Sequence, residues 1–249
     1  MRVLSIDLDY IMNDCIQEYQ TLFFHKNPSI RWDSLYKETN FTSQSLLPNK
    51  EKLFFCYEIF LKSLLKSKKI SFGYDHDAIL FDLEECNSIE LVNIDHHNDV
   101  FHVDGSLSSV REIESYLESE YNAICNLDHV CEGNWIAWLY SNGKLKSYDW
   151  IYNENSDSIE LKSLMIRKLL GDSYNTYLQN QYSFNNYEFD YVFVCLSPQY
   201  IPPEYWHYFG MFMKAYECFK SETPNLISNK KFEHTKMFNK VNNLVFYKS

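Results

Sequence analysis

Three side chains that commonly bind metal ions stand at alternate positions of the sequence, Asp95, His97 and Asp99. They directly follow a largely apolar run, residues 89–94, whose composition is typical of a buried strand. Because successive side chains of an extended chain alternate between its two faces, these three point the same way. Two carboxylates and an imidazole that converge at the end of a strand suit a divalent cation. The sequence therefore predicts a metal site here.

Further side chains of the same kind follow two other predicted strands. Asp7 and Asp9 come after an apolar strand at residues 3–6, and His76 comes after a short strand at residues 70–73. In a parallel sheet the carboxyl ends of all strands lie along one edge, so we expect the three groups to meet. Four carboxylates and two imidazoles are too many for one ordinary cation and match two cations that share bridging carboxylates. Such oxygen-rich ligation favours Mn²⁺ over Mg²⁺, Fe²⁺ and Zn²⁺.

The elements that must position these residues alternate between strands and helices. Strands are predicted at residues 3–6, 70–73, 89–94, 145–151, 158–164 and 191–196, and helices at 14–25, 51–66, 78–83, 108–121 and 204–220. Residues 27–50 are interpreted as an excursion or lid outside the core, and residues 171–188 as loop and helix. The alternation predicts a single α/β domain over residues 1–249 with a mostly parallel sheet.

Composition narrows the classes of function. The 249-residue chain is 45% hydrophobic and has a net charge of −11, so a nucleic-acid partner is not expected and a cationic substrate or metal fits better. No apolar run reaches the length of a membrane span, and no signal peptide precedes the first strand, so no membrane partner is expected. The seven cysteines form no C-x-x-C pair, which favours reduced thiols in a cytoplasmic protein.

Three motifs together resemble those of the arginase/deacetylase superfamily, the ureohydrolases. Asp95-His96-His97-Asn98-Asp99 is similar to that family's Asp-x-His-x-Asp motif, Gly73-Tyr74-Asp75-His76 to its Gly-Gly-Asp-His motif, and Ser5-Ile6-Asp7-Leu8-Asp9 to its Ser-x-Asp-x-Asp motif. Glu132-Gly133-Asn134-Trp135 stands where those enzymes begin a helix with His-Gly beside the substrate. The resemblance covers short segments across about the first half of the chain.

The chain also departs from this pattern. The family places Ser-x-Asp-x-Asp late in the chain, so its position here implies a circular permutation that moves this strand to the N-terminus. Glu132 stands where arginases carry a proton-transferring histidine, and the residues that clamp free arginine are not recognisable. The motifs are closest to a divergent arginase-like branch that includes peptide arginases, which convert arginine to ornithine in ribosomally made peptides.

The resemblance implies a three-layer α/β fold, with helices on both faces of the sheet, and a binuclear manganese hydrolase. Its implied substrate is an arginine-containing peptide, which it converts to ornithine and urea. The implied ligands of one cation are His76, Asp95, Asp99 and Asp7, and those of the other are His97, Asp95, Asp7 and Asp9. The implied substrate residues are Glu132 and Glu204, which grip the guanidinium or transfer protons, and Asn98 and Asn134, which line the pocket. Asp99 also orients the attacking hydroxide.

The sequence also allows other functions. The enzyme could act on free arginine or agmatine instead of a peptide, and Glu132 and Glu204 could be ordinary carboxylates at the surface or at a helix start. The Asp7-Leu8-Asp9 segment also resembles haloacid-dehalogenase-type phosphatases, in which Asp7 would be the nucleophile, Asp9 the acid and Mg²⁺ the cofactor. That reading leaves residues 73–76 and 95–99 unexplained. The chain could also be a metal-binding protein without catalytic activity. It could form a homo-oligomer.

Overall fold

The structure is a computed structural model that describes residues 1–13, 27–38, 46–100, 130–156, 167, 170–184 and 187–226. The helices predicted at residues 14–25 and 108–121 and the strand predicted at residues 158–164 lie outside the described residues.

The described residues form a six-stranded sheet in which every neighbouring pair of strands is parallel. The strands are β1 (Arg2–Asp7), β2 (Lys69–Gly73), β3 (Ile89–Asp95), β4 (Leu145–Tyr152), β5 (Tyr174–Tyr177) and β6 (Tyr191–Cys195). Their order across the sheet is β2-β6-β1-β3-β4-β5, which puts the N-terminal strand near the centre. The predicted α/β fold with a parallel sheet is confirmed.

Strand β5 corrects one expectation. Residues 171–188 were expected to hold loop and helix, but Tyr174–Tyr177 is a strand that pairs with β4. Tyrosine and threonine fit a pleated, half-buried surface well, and pairing with an existing strand supplies the hydrogen bonds that a four-residue segment lacks alone. So short a run carries too little periodicity for its sequence to reveal the strand.

Five helices are described: α1 (Pro28–Glu38), α2 (Lys50–Leu64), α3 (Leu80–Leu83), α4 (Trp135–Ser141) and α5 (His207–Leu226). Helix α2 begins at a capping residue, Asn49, whose side chain accepts hydrogen bonds from two backbone N–H groups of the first turn. The expectation that residues 27–50 stay outside the core is wrong. Trp32 and Leu35 of α1 are 2% and 4% exposed and belong to the main core cluster.

Helices cover both faces of the sheet because the central strands are buried on both sides. Along β1, Leu4 and Ile6 pack in the core cluster that contains α2 and α5, while Val3 packs in the cluster that contains α3 and α4. Each large apolar side chain that is fully buried in this way contributes about 1.5–3 kcal/mol to stability. None of the helices in the described ranges has the length and apolar character needed to cross a bilayer.

Candidate metal centre

The predicted ligands lie along the carboxyl edge of the central strands. β1 ends at Asp7 and β3 ends at Asp95, and the parallel register pairs Ile6 with Ile94 immediately before them. The two carboxylates are therefore neighbours. His76 opens a short 3-10 helix after β2, two strands away from β1 in the sheet. The expectation that separate strand ends would bring these residue types together is confirmed by this arrangement.

The first group consists of Asp7, His76 and Asp95, which are all buried and whose ligand atoms lie within 4.8 Å of one another. His76 Nδ1 is 3.2 Å from Asp7 Oδ2 and 3.1 Å from Asp95 Oδ2. Asp99 joins the group, since its Oδ2 is 2.7 Å from the same nitrogen. Three carboxylates thus face one imidazole nitrogen.

The second group consists of Asp9, Asp95 and His97, again with ligand atoms within 4.8 Å of one another. His97 Nδ1 is 2.8 Å from Asp9 Oδ2 and 3.9 Å from Asp95 Oδ1. Asp95 is the carboxylate that belongs to both groups, and Asn93 Nδ2 donates to its Oδ2 at 3.0 Å. The structure thus brings buried Asp and His side chains close enough to hold a metal ion.

The charges in this cluster are not balanced by the chain. Burial raises the pKa of Asp7, Asp9 and Asp95, and neighbouring carboxylates raise each of them further, that of Asp95 to about 7. The carboxylate of Asp99 and hydrogen bonds to the acids outweigh burial and raise the pKa of His76 well above its usual value. Within the described ranges, no lysine or arginine forms an ion pair with these acids. A donor set of this chemistry fits divalent cations, which would supply the missing positive charge.

His76 is held by contacts on the side of the ring away from the carboxylates. Ser5 Oγ lies 2.6 Å from its Nε2, and its ring packs 4.9 Å from the Trp135 ring and 6.1 Å from the Phe193 ring. This leaves Nδ1 facing the acids. Gly73 allows the end of β2 to pass close to the Phe193 ring, because a Cβ at this position would lie 2.5 Å from that ring.

Two further side chains orient the carboxylates. Ser197 Oγ donates to Asp7 Oδ2 at 2.5 Å, and Trp135 Nε1 donates to Asp99 Oδ2 at 2.7 Å. Both Ser197 and Asp99 have left-handed backbone, with φ of 47° and 50°. Such conformations cost about 1–3 kcal/mol each and cluster at functional sites. Sequence reasoning missed Ser197 because it comes 190 residues after its partner.

The turn that carries Asp9 is fixed by a buried lysine. Lys52 is 4% exposed, and its Nζ lies 2.6 Å from Asn153 Oδ1 and 2.9 Å from Glu154 Oε1. Asn153 Nδ2 in turn donates to the carbonyl groups of Tyr10 and Met12, at 2.8 and 2.7 Å. The backbone that follows Asp9 is therefore tied to α2 and to the end of β4.

Glu132 lies beside the cluster and is half-buried. Its carboxylate accepts a hydrogen bond from Gln199. Burial, together with the carboxylates of Asp75 and Asp99, raises the pKa of Glu132 to about 8. A carboxyl group in this environment can hold a proton at neutral pH.

Glu204 is not brought to the cluster. It is exposed in a short 3-10 helix, where its Oε2 accepts a hydrogen bond from Tyr36 at 3.2 Å, and within the described ranges no contact joins it to the acids. Its side chain is held by Tyr36 of α1 instead of by the acids.

The two predicted pocket asparagines are buried and use their side-chain oxygens locally. Asn98 Oδ1 accepts from the backbone of Val100 at 3.0 Å, and Asn134 Oδ1 accepts from the backbone of Cys131 at 2.8 Å. Each of these contacts shapes a turn beside the ligands, so the structure supports a role in loop geometry.

The chemistry open to this site follows from its donors, which are four buried carboxylates and two imidazoles at one sheet edge, with a protonatable carboxyl group beside them. Such a set can hold cations and transfer a proton. Comparisons with protein-family models, with curated proteins and with solved structures found no match for this chain.

Proposed function

We propose that this protein is a binuclear manganese-dependent hydrolase that cleaves the guanidino group of arginine within a peptide to give ornithine and urea. The observation that carries the proposal is the pair of Asp/His groups that share Asp95 at the carboxyl edge of the sheet. The resemblance of the three motifs to ureohydrolases supports the reaction class. The place of β1 between β6 and β3 supports an arginase-like sheet whose Asp-x-Asp strand has moved to the N-terminus.

The residues that would hold the cations follow from the two groups. His76, Asp7, Asp95 and Asp99 would hold one, and His97, Asp9 and Asp95 the other. The resemblance also implies Asp7 as a ligand of the second cation, but Asp7 lies in the His76 group. Mn²⁺ suits carboxylates mixed with imidazole better than Mg²⁺, which keeps several waters, or Zn²⁺, which prefers nitrogen and sulfur ligands. When bound, the cation pair would supply a water molecule whose pKa is near neutral, which serves as the nucleophile.

The chain's own residues would bind the substrate and move a proton. The negative charge of Asp99, Asp75 and Asp77 around Glu132 favours a guanidinium in this region. In the reaction the water oxygen bonds to the guanidinium carbon, the bond from that carbon to Nε breaks, and Nε leaves as an amine that takes up a proton. Glu132 is the half-buried carboxyl group beside the cluster, and we assign the transfer of that proton to it.

The phosphatase alternative makes different demands on Asp7. A nucleophilic aspartate must face its substrate, whereas Asp7 is 3% exposed, accepts a hydrogen bond from Ser197 and lies against His76. These contacts favour a ligand role for Asp7.

The test is to incubate the manganese-loaded protein with a set of arginine-bearing peptides, to measure urea and to search for the mass loss of CN₂H₂ on arginine. We expect both signals from the wild-type protein and neither from Asp95→Asn. Asp82→Asn is the matched control, because Asp82 lies outside the cluster. No mass change on any peptide, with manganese bound, would contradict the proposal. Equal turnover of free arginine would reassign the enzyme to ordinary ureohydrolases.

A further inference from the structure

One side of the candidate metal centre is more open than the rest. Among the six predicted ligands, the side chain of His97 is 21% exposed. The other five side chains are between 0% and 6% exposed, namely those of Asp7, Asp9, His76, Asp95 and Asp99. A molecule that comes from solvent therefore meets the cluster on the side of His97.

The loop that follows β6, residues 197–204, contacts this open side. Gln199 donates a hydrogen bond to Glu132, which lies beside the cluster. The next residue, Tyr200, packs on His97, with ring centroids 4.7 Å apart and ring planes at 47°. Tyr200 is itself only half-buried. Its ring therefore borders the side on which the cluster can be reached, one residue away from the contact with Glu132.

The position of Tyr200 is fixed by its own loop. The backbone N–H groups of Tyr200 and Ile201 donate to the carbonyl of Ser197, at 2.9 and 3.2 Å. The carbonyl of Pro198 accepts a hydrogen bond from Trp32 Nε1 at 2.8 Å, which ties the loop to α1. A tyrosine side chain has only two χ angles, so a ring on a loop held in this way offers a contact surface at a low cost in conformational entropy.

We propose that the ring of Tyr200 forms one wall of the entrance to the metal centre and stacks on the guanidinium of the substrate arginine. This inference rests on the function proposed above. The face of an aromatic ring is negative, and a planar guanidinium stacks on it. Such a wall attracts a cation without adding a further carboxylate to those already buried in the cluster.

The packing of Tyr200 on His97 allows a second role, in which the ring only keeps that ligand in place. The two roles make different demands. A ring that binds the guanidinium affects KM and the preference for cationic ligands, whereas a ring that only supports His97 affects the affinity for manganese.

The experiment compares two substitutions of Tyr200 with a matched control. Tyr200→Phe keeps the aromatic face, and Tyr200→Leu keeps an apolar side chain without that face. Tyr208→Leu is the control, because Tyr208 packs on His207 in a similar pair, with ring centroids 4.2 Å apart and planes at 45°. Within the described ranges, no contact joins this second pair to the acids of the cluster.

Three quantities are measured for each protein. KM and kcat come from urea release by the manganese-loaded protein with a short arginine peptide whose termini are blocked. The affinity for Mn²⁺ comes from calorimetric titration of the metal-free protein. Calorimetric titration of the loaded protein with the lysine and norleucine versions of the peptide, neither of which has a guanidinium to hydrolyse, gives the preference for a cation over a neutral ligand.

We expect Tyr200→Leu to raise KM by about 3- to 30-fold, because a cation–π contact is lost, and to leave kcat and the Mn²⁺ affinity within about twofold. The preference for the lysine peptide over the norleucine peptide should fall in the same variant. Tyr200→Phe should keep most of the binding, since the ring face remains. Tyr208→Leu should match the wild type in every quantity.

The results that overturn the inference are distinct from those that overturn the proposed function. Urea release with an unchanged KM in Tyr200→Leu, or with an equal rise in KM in Tyr208→Leu, contradicts the role of Tyr200 alone. A loss of Mn²⁺ affinity in Tyr200→Leu with an unchanged preference for the cation shows that the ring only supports His97. No urea from any arginine peptide, with manganese bound, overturns the proposed function and this inference with it.

Discussion

At the amino-terminal ends of strands β2 and β6, Asp82 of α3 is surrounded by partners that the chain itself provides. Lys69 Nζ lies 2.5 Å from Asp82 Oδ1, while Tyr191 and Ser71 donate to Oδ2 at 2.7 and 3.0 Å. Burial acts to raise the pKa of Asp82, but these hydrogen bonds and the charge of Lys69 outweigh it, and the net shift is downward. At the opposite, carboxyl-terminal edge of the sheet, where β1 ends at Asp7 and β3 at Asp95, no lysine or arginine of the described residues pairs with the acids, and burial raises their pKa.

The two ends of the sheet use acidic side chains in different ways. The charge of Asp82 is balanced by Lys69 and its oxygens accept hydrogen bonds from Tyr191 and Ser71, so a structural role accounts for this acid. Asp95 is fully buried among Asp7, Asp99 and the histidines. A bound cation would balance the negative charge of this group of acids.

The largest expected effect is that of Asp95→Asn on catalysis. Because Asp95 is shared by both groups, its loss should weaken the hold on both cations, and urea release should fall on the order of a thousandfold, as expected when several kcal/mol of transition-state stabilisation is lost. Asp82→Asn should stay within about twofold of the wild type. Initial rates of urea release check this, and comparable losses in the two variants would remove the distinction between the two ends of the sheet.

Ser197→Ala tests the contacts that orient the ligands. Removing the hydroxyl that donates to Asp7 should weaken manganese binding by about 10- to 100-fold, the range found for groups that orient metal ligands. Ser71→Ala removes an equivalent hydroxyl from Asp82 and should leave the affinity unchanged. Calorimetric titration of each metal-free variant with Mn²⁺ gives the comparison, and equal affinities in the two variants would show that the hydroxyl at 197 does not position Asp7.

The pH dependence of stability should have opposite signs at the two ends. Acids with raised pKa keep their protons in the folded state over a pH range in which the unfolded chain has released them, so stability falls as pH rises. His76 acts in the same direction, because the stability from its raised pKa is present below its usual pKa and is lost as pH rises through the raised value. The lowered pKa of Asp82 acts oppositely, and its contribution is lost on acidification.

The metal-free protein should therefore lose stability between about pH 4, the ordinary range of aspartate, and pH 8, since the pKa of Asp95 is raised to about 7 and that of Glu132 to about 8. Each kcal/mol lost lowers Tm by about 2–4 °C in a chain of this size. Calorimetric scans across this range, with a chelator, measure the change. Excess Mn²⁺ should reverse it, because metal binding needs deprotonated ligands and strengthens as pH rises. A Tm that rises with pH in the chelated protein would contradict the assignment of raised pKa values to this cluster.

The smallest expected effect is that of Lys69→Gln. The pair with Asp82 is partly exposed, with side-chain exposures of 53% and 25%, so its loss should lower the free energy of unfolding by no more than about 1 kcal/mol. Manganese binding should not change. Urea denaturation and metal titration of this variant check both points. A weakened metal affinity would show that the two ends of the sheet are energetically coupled, which contradicts the distinction between them.

The clustering of the acids and histidines could be predicted from sequence because its signal is local. Asp95, His97 and Asp99 follow a strand at alternate positions, and the parallel sheet then brings Asp7 and His76 to the same edge. The side chains that orient them carry no such signal. Ser197 and Trp135 contact the ligands only through the tertiary fold.

Helix α1 and strand β5 escaped prediction for a related reason. Trp32 and Leu35 form an apolar stripe that is too narrow to indicate that α1 packs on the core. The contact of Trp32 with the loop at residues 197–204, which the sequence does not reveal, helps to hold the helix there. Glu204 was predicted at the site from residue type and position alone. Its actual partner, Tyr36, lies on the helix that sequence reasoning had placed outside the core.

Calorimetric titration of the metal-free wild-type protein with Mn²⁺, beside Asp95→Asn and Asp82→Asn, tests the binuclear centre most directly. We expect about two equivalents of Mn²⁺ per chain for the wild type and for Asp82→Asn, and weakened binding at both sites in Asp95→Asn, because that carboxylate is shared. Binding in Asp95→Asn that equals the wild type, or no binding in the wild type, would contradict it.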